Sequence, residues 1–302
     1  MTTIPASTFI CEVSLRVRNL ESVAGFYRDS LGFRELPSKS NERRLSANGS
    51  EPAQIVLLED RHAAPRPGSA PGLFHTAFLF PSRQALASVL QHLMDAKTRF
   101  QGFADHGVSE AIYLADPEGN GVELYCDRPR STWHLQNDGI AMVTEALDVA
   151  GLLLELEHEK AHQLDPATVI GHLHLQVSSL QKAERFYHKI LGFDVTQRSY
   201  PGALFVSAGG YHHHLGFNTW NSRNSISSPG TSGLVSAGIQ VPDGKSLEDI
   251  AVRLDQNGIK IQQAERGSLL VHDFDNIVIR LSVSEQGSSG SFFQQRSQEV
   301  EL

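Results

Sequence analysis

An internal repeat with an offset of 160 residues most strongly constrains how this 302-residue chain can fold. A pattern of Leu, Phe-Tyr and Leu-Gly-Phe over residues 20–33 recurs over residues 180–193 with every spacing kept. In each copy an alternating strand comes first, at Val13–Val17 or Leu173–Val177, and a short amphipathic helix ending at Gly follows it. A chain with such a repeat is expected to fold as two related halves.

A weaker repeat lies inside each half. A strand followed by a helix is predicted over residues 74–96, and the same order is predicted over residues 234–257. The chain therefore divides into four βαβββ modules, which makes it an α+β protein with mixed, cupped sheets. The approximate spans of the modules are 8–60, 72–126, 168–220 and 232–284.

The length and the repeat together predict two domains. The first covers residues 8–126 and the second covers residues 168–284, with two modules in each. Residues 127–167 connect the domains and include a predicted helix over Thr144–Lys160. Residues 285–302 are rich in Ser and Gln, and this tail is predicted to be disordered.

The composition argues against several classes of partner. The formal net charge is −8 and no run of Lys or Arg stands out, so neither nucleic acid nor an anionic membrane is expected to bind. The apolar runs are too short to span a bilayer. Two cysteines do not make a disulfide framework, which is typical of a cytoplasmic protein. A homo-oligomer is compatible with the sequence, which does not specify the oligomeric state.

The segment from Ala104 to Glu123 carries the clearest chemical signal. It contains His106, Tyr113 and Glu123, and the turn-forming residues 116–121 place the last two on neighbouring strands. Glu123 faces opposite to its apolar neighbours in the strand. A carboxylate in such a strand is costly to bury unless it is paired or bound to a cation.

This segment resembles the signature of the extradiol ring-cleaving dioxygenases, which belong to the vicinal oxygen chelate superfamily. The resemblance extends over roughly residues 8–284, with segments 127–133 and 209–214 typical of bacterial catechol-2,3-dioxygenase-type proteins. Ala104 departs from the usual Gly, Asn, Thr, Ile or Val. The resemblance implies that the glutamate, Glu123, is a metal ligand and that His106 and Tyr113 contact the substrate.

Superfamily ligands come from the first and last strands of the modules, and the resemblance therefore implies the metal ligands His75, Glu123 and His172. Two histidines and one carboxylate leave three positions of an octahedral ion open, which suits Fe(II), with Mn(II) as a substitute. Zn(II) accepts the same ligands but has no redox chemistry to offer O2. The equivalent positions elsewhere in the repeat hold other residues, namely Glu12, Ser236 and Arg280.

The ligand-type residues fall in the two middle modules. We therefore predict that modules 72–126 and 168–220 pair across the connection and form one cup. In the four-module enzymes that the chain resembles, the third and fourth modules usually pair to form the cup that binds the metal.

Several histidines remain as alternatives for the other roles. His172 and His174 lie on one strand face; the family spacing favours His172 as the ligand and leaves His174 beside the substrate. The run His212–His214 falls on the predicted last strand of the third module, where extradiol enzymes carry an acid–base histidine. The family spacing favours His213, with His212 and His214 as alternatives that contact the substrate. Trp133 and Trp220 either line the mouth of the cup or fill space.

The resemblance implies extradiol cleavage of a catechol-like aromatic diol, with Fe(II) as the cofactor and O2 as the second substrate. Two other functions use the same scaffold. One is a metal-dependent isomerase or lyase of the glyoxalase type, which usually has a fourth protein ligand. The other is a resistance protein that sequesters a small molecule without metal, and the three ligand-type residues argue against it.

Overall fold

The computed structural model describes residues 3–136, 139–156 and 164–284. The predicted disordered tail at 285–302 lies outside these residues, as does the Lys160 end of the predicted connecting helix.

The first half of the chain contains two βαβββ units. The first unit consists of β1 (Phe9–Val17), α1 (Leu20–Gly25) with a π-helical turn (Phe26–Ser30), β2 (Arg34–Leu36), β3 (Glu42–Ser46) and β4 (Ile55–Glu59). The second consists of β5 (Gly72–Leu79), α2 (Arg83–Asp95), β6 (Gly102–Asp105), β7 (Ser109–Ala115) and β8 (Gly121–Asp127). The connection adds a 3₁₀ turn (Arg130–Thr132), β9 (Leu135–Gln136), β10 (Gly139–Ile140) and α3 (Val149–Leu153).

The second half repeats this order. The third unit consists of β11 (Val169–Gln176), α4 (Leu180–Ala183) with a π-helical segment (Glu184–Ile190), β12 (Asp194–Gln197), β13 (Ala203–Ser207) and β14 (Leu215–Asn218). The fourth consists of β15 (Gly233–Val241), α5 (Gly244–Gln256), β16 (Gln262–Gln263), a 3₁₀ turn (Glu265–Gly267), β17 (Leu269–His272) and β18 (Val278–Val283). The predicted α+β fold of four βαβββ modules is therefore confirmed.

The strands of the four modules form two eight-stranded mixed sheets within the described residues. One sheet has the order β12-β13-β14-β11-β5-β8-β7-β6, and the other has the order β16-β17-β18-β15-β1-β4-β3-β2. Strands β5 and β11 pair antiparallel, as do β1 and β15. The predicted pairing of the second and third modules is thus confirmed. Because each sheet takes strands from both halves, the domain boundaries 8–126 and 168–284 stay a prediction.

Alternation along the strands separates the apolar core from a polar face. On β8, Val122 and Leu124 belong to the large core, whereas Glu123 lies on the opposite face. Helices and strands of different modules meet in that core, where the rings of Phe33 and Phe78 are 4.9 Å apart. The core thus fixes the face on which the polar side chains lie.

Glycines explain why the Leu-Gly-Phe element of the repeat ends its helices sharply. Gly32 has a φ of +88° and Gly192 a φ of +95°, values that other residues rarely adopt. Each glycine follows a π-helical segment and turns the chain into the next strand. Substitution of either would strain the backbone at the start of β2 or β12.

The predicted connecting helix is much shorter than Thr144–Lys160. Helix α3 spans Val149–Leu153 and begins after Asp148, whose side chain accepts a hydrogen bond from the amide of Gly151. The residues before it are extended, since Glu145 forms a β-bridge with Asp105 at the edge of β6. Bonding to the sheet edge thus replaces the first turn of the predicted helix.

Two further observations concern the helices and the cysteines. Over the described ranges, every helix is too short or too polar to cross a membrane. Cys11 and Cys126 are both free thiols.

Candidate metal centre

Three neighbouring strands bring together the residues that the sequence predicts as metal ligands. His75 lies on β5, Glu123 on β8 and His172 on β11, and β5 lies between the other two strands. His172 is opposite Ala77 on β5, and Ala77 in turn pairs with Glu123. His75 is two residues from Ala77 and therefore on the same face. The small side chain of Ala77 leaves the space into which the three others converge.

The donor atoms of these three residues point at one another. One ligand atom from each of His75, Glu123 and His172 lies within 4.8 Å of the other two, and all three residues are buried. Oε2 of Glu123 is 2.9 Å from Nε2 of His75 and 3.2 Å from Nε2 of His172. The His75 contact lacks hydrogen-bond geometry, and no other described group pairs with that nitrogen. A buried imidazole nitrogen that lacks a hydrogen-bond partner and faces a carboxylate is typical of a metal ligand.

The protonation states also suit a metal. Burial lowers the pKa of His172 to about 4 although Glu123 opposes this change, so the imidazole is neutral at neutral pH. Burial alone would raise the pKa of Glu123, but the facing imidazoles of His172 and His75 outweigh it and hold this pKa well below its usual range. Neutral imidazole and ionised carboxylate are the forms that bind metal. The residues therefore fit a divalent transition metal.

Two glycines make room around the histidines. A Cβ at Gly121 would lie 2.2 Å from the carbonyl oxygen of Phe74 and 3.0 Å from Cβ of His75. A Cβ at Gly216 would lie 3.1 Å from Nδ1 of His174. Because these contacts are shorter than real Cβ atoms normally make, larger residues at either position would shift the histidine rings.

The matching positions of the other sheet hold an ion pair instead of a ligand group. The guanidinium of Arg280 donates to Glu12, and the hydroxyl of Ser14 donates to the same carboxylate at 2.9 Å. Ser236 occupies the position that matches His75. Over the described residues, the group at His75, Glu123 and His172 is the one set of three potential metal ligands that the structure contains. The sheet formed by the second and third modules therefore carries the site.

His174 lies beside the ligand group and not within it. It pairs with His75 across β11 and β5, and the two ring centroids are 5.0 Å apart. The rings of Phe74 and Trp220 contact its other sides, at centroid distances of 5.1 and 5.6 Å. Burial, with help from His75, lowers the pKa of His174 well below its ordinary value. A neutral imidazole in an aromatic wall suits contact with a flat ligand.

His106 and Tyr113 form a hydrogen-bonded pair beside the ligand group, where the ring centroid of Tyr113 is 5.7 Å from that of His75. Nδ1 of His106 is 2.7 Å from the carbonyl oxygen of Val143, which can only accept, so Nδ1 carries the proton. In the neutral ring Nε2 then accepts from the hydroxyl of Tyr113, at 2.7 Å. Burial and the nearby Glu123 raise the pKa of Tyr113 well above its ordinary value, which keeps the hydroxyl protonated.

The structure separates the three members of the histidine run. The predicted strand begins only at Leu215, so residues 212–214 form the end of the preceding loop. His213 lines a cavity beside the ligand group, and its ring centroid is 4.1 Å from that of His172. His212 lies behind His213, with the two Nδ1 atoms 2.8 Å apart. His214 accepts from the amide of Ala208 at 3.1 Å. His212 and His214 do not line the cavity, and the structure thus brings only His213 to it.

The ligand group lies at the wall of a cavity of about 340 Å³. The sequence motifs do not single out most of the apolar residues that line it, namely Phe74, Phe103, Met142, Val143, Tyr200 and Phe205. Met142 and Val143 come from the connection, which carries no motif that predicts this position. Of the two tryptophans left open by the sequence, Trp220 lines the cavity, whereas Trp133 packs against His212.

Comparison with known proteins identifies relatives of this chain. A profile of the Glyoxalase/Bleomycin resistance protein/Dioxygenase superfamily matches residues 10–124 and 169–266. A catechol-2,3-dioxygenase from Bacillus subtilis is 42% identical over 270 residues, which cover 88% of this chain and 94% of that protein. A biphenyl-2,3-diol 1,2-dioxygenase from Rhodococcus globerulus is 41% identical over 56 residues, which cover 18% of this chain and 30% of that protein.

Solved structures share the fold at low sequence identity. A crystal structure from Bacillus subtilis superposes with a TM-score of 0.66 at 12% identity and covers 95% of this chain and 87% of that one. Glyoxalase I from Zea mays superposes with a TM-score of 0.55 at 14% identity and covers 98% of this chain and 97% of that one. At these identities the likeness concerns the fold alone.

Proposed function

The chain belongs to the Glyoxalase/Bleomycin resistance protein/Dioxygenase superfamily. Within that superfamily we propose that it is a non-haem Fe(II)-dependent extradiol dioxygenase that opens the ring of a catechol-like diol with O2. One observation carries the proposal. The donor atoms of His75, Glu123 and His172 converge at the wall of an apolar cavity that His213 and Tyr113 also line. The 42% identity to a catechol-2,3-dioxygenase supports the same reaction.

Fe(II) bound by His75, Glu123 and His172 would supply the redox chemistry by which O2 reacts with the diol ring, and Mn(II) fits the same ligands. The protein's other residues handle protons and position. His213 accepts a proton from a diol hydroxyl and returns one as the ring opens, which is the ordinary work of a general acid–base histidine. Tyr113, held by His106, contacts the diol oxygens. His174 and Trp220 contact the face of the ring.

The cavity favours a neutral, apolar ring. None of the described residues that line it is a lysine or an arginine, and Glu123 is the single acidic residue among them. A carboxylated substituent would therefore lose hydration without gaining a lysine or arginine partner. A volume of about 340 Å³ is at the lower end of the range for small-molecule sites, which suits a catechol with a small apolar substituent.

The alternative functions lack a comparable observation. A glyoxalase-type isomerase would need a fourth ligand, and the group formed by the described residues contains three. A sequestering protein needs no ligand group at all. The cytoplasmic location and a homo-oligomeric state stay predictions.

Metal analysis of protein purified without oxygen tests the proposal. We expect about one Fe(II) or Mn(II) per chain, and a yellow ring-opened product when catechol and air are supplied. His75→Ala and Glu123→Ala should lose the metal and the activity, because each removes one of three protein ligands. His62→Ala, at an exposed histidine, is the matched control and should keep both. Full metal content in both site variants would refute the assignment.

A further inference from the structure

We propose that Asp127 and His212 are positioning residues that fix the ring tautomer of His213, so that its Nε2 presents an unprotonated lone pair to the cavity. This inference rests on the proposed function, since it explains how His213 can accept a proton. Asp127, His212 and His213 form a chain of hydrogen bonds that leads from the end of β8 to the cavity wall.

The direction of each hydrogen bond follows from the group at the far end. The carboxylate of Asp127 can only accept, and its Oδ1 lies 3.0 Å from Nε2 of His212. His212 therefore carries its proton on Nε2, and its Nδ1 in the neutral ring is an acceptor. Nδ1 of His213 is 2.8 Å from that acceptor and must donate. The remaining nitrogen of His213, Nε2, is then left without a proton.

The same chain of hydrogen bonds can hold the ring of His213 in place during proton transfer. When Nε2 of His213 takes a proton, Nδ1 keeps its own proton and its hydrogen bond to His212. The orientation of His213 is then fixed through His212 by the carboxylate of Asp127, as in any base–orienter pair.

Packing holds His212 in this orientation. The side chain is fully buried, with the ring of Tyr211 at a centroid distance of 4.0 Å and that of Trp133 at 5.3 Å. Its carbonyl oxygen accepts a hydrogen bond from the hydroxyl of Thr196 at 2.6 Å. A ring fixed between two aromatic side chains cannot easily flip to exchange its nitrogens.

The arrangement also links the chain of hydrogen bonds to the metal ligands. Glu123 and Asp127 are four residues apart on β8 and lie on the same face of the strand. One strand therefore sets the position of both a ligand and the carboxylate behind the base. Tyr211 donates a second hydrogen bond to Oδ1 of Asp127, at 3.0 Å, which holds that carboxylate in place.

Turnover in a double-mutant cycle separates this role from a structural one. His212→Phe keeps a ring but removes both nitrogens, and we expect kcat to fall about 10–100-fold while KM and metal content stay unchanged. In a His213→Asn background the same change should have little further effect, because His212 acts through His213. An equal loss from His212→Phe in both backgrounds, or no loss in either, would overturn the inference.

A second variant covers the case in which His212→Phe does not fold. His212→Asn keeps an oxygen near the former Nδ1 position, where it can accept from His213, and should recover most of the lost kcat. Turnover by His212→Asn as poor as that by His213→Asn would contradict the proposal. Wild-type turnover by His213→Asn would instead refute the acid–base role in the proposed function, which keeps the two failures distinct.

The tautomer can also be observed without any turnover. In full-length protein loaded with diamagnetic Zn(II) and labelled with ¹⁵N-histidine, the signals that His213→Asn removes identify His213. We expect Nδ1 to give the signal of a protonated nitrogen and Nε2 that of an unprotonated one, with averaging of both in His212→Phe. A protonated Nε2 in the wild-type protein at neutral pH would refute the assignment.

Discussion

His174 is the cross-strand partner of His75, and their ring centroids are 5.0 Å apart. Of these two histidines, only His75 reaches the carboxylate of Glu123. The second histidine of the ligand group is His172, two residues before His174 on β11. Two histidines on one strand face thus lie in different surroundings, one against the carboxylate and the other in an aromatic wall.

This difference predicts opposite effects for two similar substitutions. His172→Ala should abolish metal binding because it removes one of three protein ligands. His174→Ala should keep the metal and raise KM for the diol, because its ring contacts Phe74 and Trp220 instead of the ligand atoms. Metal content and steady-state kinetics of both variants provide the check. Metal loss in His174→Ala with retention in His172→Ala would reverse the assignment.

The size of Ala77 gives a second prediction. Its fully buried methyl group lies between His172 and Glu123 in the register, so Ala77→Leu should push these side chains apart. We expect metal affinity to fall at least about tenfold, together with an overpacking cost of about 1–3 kcal/mol. Ala87→Leu, at a fully buried alanine of α2, is the matched control. It should lower the unfolding free energy similarly but keep the metal; equal metal loss in both variants would count against a local effect.

The apolar cavity predicts discrimination against charged substrates. We expect kcat/KM for 4-methylcatechol to exceed that for 3,4-dihydroxybenzoate by about 100-fold or more, because a buried carboxylate without a partner costs several kcal/mol. Met142→Arg would place a cation in the wall and should narrow this ratio. Equal kcat/KM values for the two substrates in the unmodified protein would contradict a neutral substrate class.

A buried carboxyl away from the site predicts a dependence of stability on pH. Burial raises the pKa of Asp273 from about 3.8 to about 6, although the amides of Ile277 and Asp275 and the hydroxyl of Tyr187 oppose this. Because the folded-state pKa lies above the unfolded one, this contribution to stability is full below about pH 3.8 and is lost as the pH rises through about 6.

Asp273→Asn imitates the neutral carboxyl and should therefore stabilise the protein at pH 8, by up to about 3 kcal/mol. The advantage over the unmodified protein should shrink as the pH falls from 6 to 4. Denaturant unfolding of both proteins at several pH values measures the difference. A constant difference across that range would show that the effect does not come from ionisation of Asp273.

Much of the architecture is predictable from the local sequence because it depends on periodicity and turn chemistry. The offset of 160 residues, the alternating strands and the Leu-Gly-Phe helix ends predict four βαβββ modules, and the fold confirms them. The pairing of the middle modules is also predictable, because ligand-type residues occur at His75, Glu123 and His172 whereas the matching positions hold Glu12, Ser236 and Arg280.

Other features depend on contacts between distant parts of the chain. The predicted helix over residues 144–160 is wrong in its first turn because Glu145 bonds to the edge of β6, a contact that no local pattern encodes. The position of Met142 in the cavity wall likewise depends on contacts between distant parts of the chain.

The sequence by itself therefore determined the modules, because periodicity and turn chemistry carry that information, and its resemblance to a known family indicated their pairing and the residue types of the candidate site. Only the tertiary structure decided which histidine of each group faces which neighbour. His213, and neither His212 nor His214, lines the cavity because the loop before β14 turns their rings in different directions. Asp127 reaches His212 across 85 residues of chain, and such a contact exists only once β8 and β14, the strand that follows the His212 loop, lie in one sheet.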